Sequence, residues 1–259
     1  MARLRVSVHK FSSCDGCQLA LLNRVEEVMR LADRVEFVHF AELGYVDPDA
    51  PVDVAFVEGS VSTPEEEIRI RELRKNARTL VTIGACATAG GIQALRNLQT
   101  DGREWVAAIY PSPAYVSLLG ASHAISRYVA VDLELWGCPV DSRQVFSAIH
   151  DLALGVRPLN PGDSVCATCK REANVCVLVA HGEPCMGPVT RSGCGALCPR
   201  FGRACYGCYG PSEQVNSVAL TQRFASLGLG PEAIARRFLS INNAAGPFAE
   251  AGLRAKEPR

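Results

Sequence analysis

The sequence predicts an α/β protein: a mainly parallel sheet covered by helices, then a smaller, irregular cysteine-rich segment with terminal helices. Two observations predict this. Over residues 1–155, β-rich apolar runs alternate with stretches of helical apolar spacing, the pattern of a parallel sheet with helices on both faces. After about Gly155 the pattern stops. Pro158, Pro161 and Gly162 read as a linker, and Cys166 to Gly210 carries eight cysteines among many glycines and prolines, with little room for regular structure.

Element by element, Leu4–Val8 reads as the first strand and Gln18–Leu31 as one amphipathic helix. Val35–Phe40 and Val52–Val57 are the second and third strands. The next helix has a strong start signal: Thr63 as N-cap, Pro64 at the first helical position and Glu66 placed to close a capping box. Thr79–Ile83 is the fourth strand, followed by a helix around Thr88–Leu98. Gln99–Arg127 is a proline-punctuated excursion. Val131–Trp136 and Ser142–Leu154 complete the first half. In the second half, Ser212–Leu227 and Pro231–Asn242 read as two helices closing over the cysteine region, and the last dozen residues read as frayed. No internal repeat of fixed period is present.

Composition narrows the function. The 259 residues are 48% hydrophobic and 21% charged, and 27 Lys and Arg cancel 27 Asp and Glu, which argues against a dedicated nucleic-acid binder. The longest apolar stretches, such as Val175–Ala180, fall far short of the roughly 20 residues a membrane span needs. The N-terminal MARLRVSVHKFSSC shows neither a long apolar segment nor a twin arginine, so a cytoplasmic protein is expected. A reducing compartment would not keep 12 cysteines as disulfides, and a chain of this length can bury its own core, so the cysteines call for metal.

Four cysteines fall at strand-to-helix turns: Cys14 and Cys17 after the first strand, Cys86 after the fourth, Cys138 after the fifth. In a parallel sheet these turns share the carboxyl edge, where ligands bind, so distant residues converge there. Gly16, Gly84 and Gly137 would let the backbone approach, and helix N-termini would offer N–H groups to an anionic cluster. Taken singly, Cys86 or Cys138 reads as a small buried hydrophobe. A thioredoxin-type CxxC would not require Cys86 and Cys138 at matching turns. Flavin is a further alternative, since Ser12 and Ser13 sit where a phosphate loop would. The other eight, Cys166, Cys169, Cys176, Cys185, Cys194, Cys198, Cys205 and Cys208, make two sets of four. Their CxxC pairs alone would suit a zinc ribbon. The remaining cysteines break that symmetry, and Cys138-Pro139 and Cys198-Pro199 favour iron–sulfur ligation.

Over nearly its whole length the chain resembles the small subunit of nickel–iron hydrogenases. The resemblance rests on SCDGCQLALL, VEGSVSTPEEE, VTIGACATAGG, WGCPV and EPCMGPVTRSGCGALCPRFGRACYGCYG, of which CMGPVTRSGC is the most telling. It is most similar to the cytoplasmic NAD(P)-linked, sulfhydrogenase type. That resemblance implies a flavodoxin-like domain over 1–155 and a cluster-bearing domain over 156–259. Position by position, it implies that Cys14, Cys17, Cys86 and Cys138 hold a proximal 4Fe-4S cluster. Cys166, Cys169, Cys176 and Cys185 match the ligands of a distal cluster, and Cys194, Cys198, Cys205 and Cys208 those of a medial one. Cys166 stands where periplasmic members have histidine, and Cys198 where many have proline beside a three-iron medial cluster, so three all-thiolate four-iron clusters are expected. The NiFe centre, in the family, is held by two CxxC pairs of a large subunit, and nothing here looks like it. The chain is therefore expected to carry electrons rather than split hydrogen, with iron–sulfur and flavin (FAD) diaphorase-type subunits reacting with NAD(P). The rivals are a quinone-reductase subunit, whose cluster uses an adjacent Cys-Cys pair, and a zinc-stapled binding module.

Other conspicuous residues divide between site and scaffold. Glu58-Gly59-Ser60 ends the third strand on the cysteine edge and reads equally as cluster environment or as a loop feeding the capped helix. His181 reads as a solvated loop residue, and His9, His39, His123 and His150 show no ligand spacing. Arg69, Arg71, Arg74 and Lys75 read as a solvated helix face, and Trp105, Trp136, Tyr206 and Tyr209 as core packing before cluster shielding.

Overall fold

The computed structural model describes residues 3–99, 101–160 and 162–257. The chain forms two compact units, Met1–Leu159 and Asn160–Arg259. In the first, five strands, β1 (Leu4–Lys10), β2 (Val35–Phe40), β3 (Val52–Glu58), β4 (Ala77–Ile83) and β5 (Leu133–Leu135), pair in parallel in the order β2-β1-β3-β4-β5. That is the flavodoxin-like order, with its reversal between β1 and β3. The helices are α1 (Gly16–Leu22), α2 (Val25–Leu31), α3 (Pro64–Asn76), α4 (Gly84–Ala89), α5 (Gly102–Ile109) and α6 (Ser142–Ala153).

Alternation along the strands builds two apolar layers, because successive side chains leave opposite faces. Val6, Val8, Phe56 and Ile83 pack with Leu21, Val145 and Ile149 on one face. Ala55, Val57 and Leu80 pack with Ile70 and Leu73 of α3 on the other. The expected capping box of α3 forms: the Glu66 N–H donates to Thr63 Oγ1 at 3.2 Å, and the Thr63 N–H donates to the Glu66 carboxylate at 3.2 Å.

Two helices depart from the periodicity. Gln18–Leu31 is not one helix: the backbone at Arg24 (φ −121°, ψ 49°) leaves the helical region between α1 and α2. Leu21, Leu22, Val25 and Val28 keep helical spacing across the break, which hides it in the sequence. The Thr88–Leu98 helix starts earlier, at Gly84, and stops at Gly90 and Gly91, both at positive φ (79° and 59°). A 3-10 stretch, Gly91–Leu98, follows.

In the second unit, α7 (Val165–Arg171), α8 (Val177–Ala180) and α9 (Leu197–Arg200) lie within the cysteine-rich segment, more regular structure than its composition suggests. Helices α10 (Ser217–Ser226) and α11 (Pro231–Phe238) match the two expected ones. The residues expected to fray instead form most of α12 (Gly246–Lys256), while Pro258 and Arg259 lie outside the described residues. Phe248 explains the order, since it is 1% exposed and its ring meets that of Phe238 edge-on at 5.8 Å. Among the described residues no helix is long and apolar enough to cross a membrane.

Candidate metal centres

In the first unit the carboxyl ends of β1, β4 and β5 deliver four thiols to one edge. Cys14 follows β1, with Asp15 in the left-handed region (φ 63°) turning the chain into α1, which carries Cys17. Cys86 lies in α4 directly after β4, and Cys138 follows β5. Burial raises the Cys17 thiol pKa above its usual range, and neighbouring Glu58, Cys86 and Cys138 add to the shift. Burial likewise pushes the Cys86 thiol up to about 12, with Cys138 and Cys14 as its nearest like charges, and raises Cys138 beside Cys14 and Glu58. Cys17, Cys86 and Cys138 therefore each feel the charge of neighbouring thiols on this edge. Uncompensated buried thiolates are costly, and a cationic iron core removes that cost.

The backbone is shaped around these sulfurs. A Cβ on Gly84 (φ +82°) would overlap Cys17 Sγ, and one on Gly91 would stand 2.6 Å from Cys86 Sγ. Backbone amides of Val140 and Ile92 hydrogen-bond the Cys17 and Cys86 thiols. Glu58, at the end of β3, is 2% exposed and its carboxylate accepts the N–H groups of Cys17 and Gln18, each at 3.1 Å. The first donors of α1 are thus taken by Glu58, not left open to a cluster as the sequence suggested, and burial raises the Glu58 pKa. Ser60 turns away into a buried hydroxyl group with Ser62 and Ser122. Ser12 donates to the Glu66 carboxylate at 3.0 Å, an arrangement that would repel a flavin phosphate.

In the second unit Cys166 and Cys169 lie on α7, Cys176 caps α8 and Cys185 follows in the loop. Burial pushes Cys166 up to about 11, and the charges of Cys185, Cys169 and Cys176 reinforce it. A Cβ on Gly187 would lie 3.3 Å from Cys185 Sγ and 3.4 Å from Cys166 Sγ. Cys198, on α9, is raised by burial and then by Cys194; Cys205 is raised by burial, with Cys185 and Cys208 adding. Cys185 touches both sets, since its sulfur accepts the Cys205 N–H at 3.2 Å.

None of the 12 cysteines is in a disulfide. Among the described residues no three His, Cys, Asp or Glu side chains stand close enough to hold a single metal ion. An all-sulfur donor set, glycine clearance and amide donors to sulfur fit an iron–sulfur cluster.

The remaining residues named from the sequence act as scaffold. His181 is exposed at the end of α8. Arg71, Arg74 and Lys75 pair with Glu67, Asp132 and Glu72, and Arg69 lies 4.0 Å over the Phe11 ring. Trp136 and Tyr209 are buried as expected, whereas Trp105 and Tyr206, 42% and 45% exposed, lie at the surface rather than in the core, Tyr206 accepting from Arg203 at 3.1 Å. Gly91 and the contact from Glu58 to Cys17 N–H escaped sequence reasoning; the Gly90-Gly91 pair after Cys86 was the available signal.

The family model described as NADH ubiquinone oxidoreductase, 20 Kd subunit, matches residues 14–152. The sulfhydrogenase 2 delta subunit of Pyrococcus furiosus is 32% identical over 242 residues, covering 90% of this chain and 97% of that one. An F420-non-reducing hydrogenase subunit of Methanocaldococcus jannaschii is 29% identical, covering 82% and 83%. Among solved structures, a chain of an NAD+-reducing [NiFe]-hydrogenase in the H2-reduced state superposes with a TM-score of 0.56 at 26% identity, over 62% of this chain and 96% of that one. Fold and cysteine edge thus define a small subunit of hydrogenase type. The chain belongs to the NADH ubiquinone oxidoreductase 20 Kd subunit family, with the sulfhydrogenase delta subunits, and is a subunit of a nickel–iron hydrogenase.

Proposed function

We propose that this chain is the electron-transfer subunit of a cytoplasmic [NiFe] hydrogenase. It relays electrons between the NiFe centre of a large subunit and iron–sulfur and flavin subunits, carrying FAD, that react with NAD(P). Cys14, Cys17, Cys86 and Cys138 hold the proximal 4Fe-4S cluster, Cys166, Cys169, Cys176 and Cys185 the distal one, and Cys194, Cys198, Cys205 and Cys208 the medial one. The flavodoxin-like domain, 1–155, carries the first, and 156–259 the other two.

The observation that carries this reading is the convergence of four thiols from three strand ends, with glycine clearance at Gly84 and Gly91. When bound, the clusters supply one-electron chemistry at potentials set by burial and by hydrogen bonds to sulfur. The chain's own part is to fix that environment: Glu58 anchors the CxxC turn, and the Val140 and Ile92 amides reach the sulfurs. The likeness to a subunit of an NAD+-reducing enzyme supports the nicotinamide acceptor.

The description of the matching family model favours a second reading, a quinone-reductase subunit. That reading leaves the eight cysteines after residue 152 without a role and requires an adjacent Cys-Cys pair that this chain lacks. Anaerobic purification tests both. The expected preparation is brown, contains about twelve irons per chain on the four-iron assignment, and co-purifies with a large subunit in a complex that reduces NAD(P)+ with H2. A colourless, zinc-loaded chain would overturn the reading. Cys198→Pro is expected to convert one four-iron signal into a three-iron signal by electron paramagnetic resonance.

A further inference from the structure

In the first unit, away from the cysteines, a cleft of about 650 Å³ opens between α2, the turn into β2 and α6. Its rim carries Arg24, Arg30, Arg34 and Arg143, with His150, against only Glu27 and Asp33. Glu27 serves two guanidiniums at once, Arg24 at 3.5 Å and Arg30 at 3.1 Å. Arg143 pairs with Asp141 at 2.7 Å. Arg34 faces His150 Nε2 at 3.3 Å and, among the described residues, has no carboxylate at salt-bridge distance. Four guanidiniums thus meet three carboxylates, Glu27, Asp33 and Asp141, with Asp151 3.9 Å from His150, and Arg34 carries the uncompensated charge. The floor is apolar, with Leu31 8% and Phe146 9% exposed.

We propose that this cleft binds a phosphate-bearing small molecule of the nucleotide class. Planar guanidiniums with spare donors match phosphate oxygens bidentately, and Arg34, in the cleft lining, meets an imidazole at only one of its nitrogens. A volume within the roughly 300–1,000 Å³ of small-molecule sites, with an apolar floor under a charged rim, suits a flat ring joined to phosphates better than an extended acidic protein segment. None of these residues belongs to the cysteine sites, so this proposal stands or falls apart from the electron-transfer reading.

The test is photolabelling of the anaerobically purified complex with 8-azido-ATP, followed by mapping of labelled peptides on this chain. Label is expected on peptides containing residues 24–34 or 143–150, competed by pyrophosphate and by ATP but not by adenosine. The variant Arg30→Ala/Arg34→Ala, at two exposed positions, is expected to weaken labelling by about tenfold per arginine removed, while iron content and H2-dependent dye reduction stay unchanged. Mapping on this chain separates the cleft from nucleotide sites on other subunits. Absence of label on these peptides, undiminished label in the variant, or equal competition by adenosine overturns the proposal. So does a partner subunit's acidic segment, found by cross-linking, occupying the cleft.

Discussion

The two units hold their cysteines by opposite means. In the first, a five-stranded sheet with an apolar layer on each face exists without the thiols: of the four, only Cys17 joins the core, and the strand ends merely carry the others. In the second, Cys185 and Cys205 are themselves core residues, packed among Met186, Phe224, Phe238 and Phe248. Because its buried core includes cysteine side chains, the second unit is expected to lose more structure than the first when metal is removed.

Metal removal gives the largest expected effect. Anaerobic chelation is expected to erase hydrogen-exchange protection across α10, α11 and α12 while β1, β3 and β4 stay protected. Cys205→Ser should act similarly on the second unit, and Cys86→Ser should leave exposed only residues near 84–92. Equal loss in both units would remove the distinction. A middle-sized effect compares glycines. Gly84→Ala forces a side chain into the left-handed region, costing about 1–2 kcal/mol, and also drives a methyl into Cys17 Sγ, so iron is lost from the sheet edge. Gly228→Ala (φ +87°) meets nothing within 4 Å, so it is expected to show the backbone cost alone, with full iron. Thermal midpoints and iron counts of the two variants check this.

The same contrast governs what the sequence disclosed. The sheet, its parallel pairing and the edge bearing Cys14, Cys86 and Cys138 were legible because strand alternation and turn position are local properties that fix where a residue emerges, whereas the strand order came only through the family resemblance. Helix α12 was not, because Gly246, Ala249, Ala251 and Gly252 blur its periodicity; only the tertiary contact of Phe248 with Phe238 reveals why it holds. Nor was Glu58: its burial and its bonds to Cys17 and Gln18 span 41 and 40 residues, and nothing local distinguishes an acidic strand end that points inward. The grouping of Cys185 with both sets is likewise a product of packing.

The smallest effect separates the units by acid. His9 on β1 is 4% exposed and stacks on His39 at 4.5 Å, and its Nε2 has no hydrogen-bond partner among the described residues. Burial first, then the charges of His39 and Arg69, lower its pKa from 6.5 to about 3. Burial and Arg69 also lower the pKa of His39, where Asp47, Glu42 and Asp49 partly offset the pull. Folded His9 stays neutral where the unfolded chain takes a proton, so its contribution is complete above about pH 6.5 and declines as pH falls toward 3. At pH 5.5 the penalty is about 1.4 kcal/mol. The second unit's one histidine, His181, is exposed, so the acid response belongs to the sheet. His9→Phe, which keeps a ring against His39, is expected to shrink the difference in thermal midpoint between about pH 7.5 and about pH 5.5 without changing iron content. An unchanged pH dependence would mean that the sheet's acid sensitivity arises elsewhere.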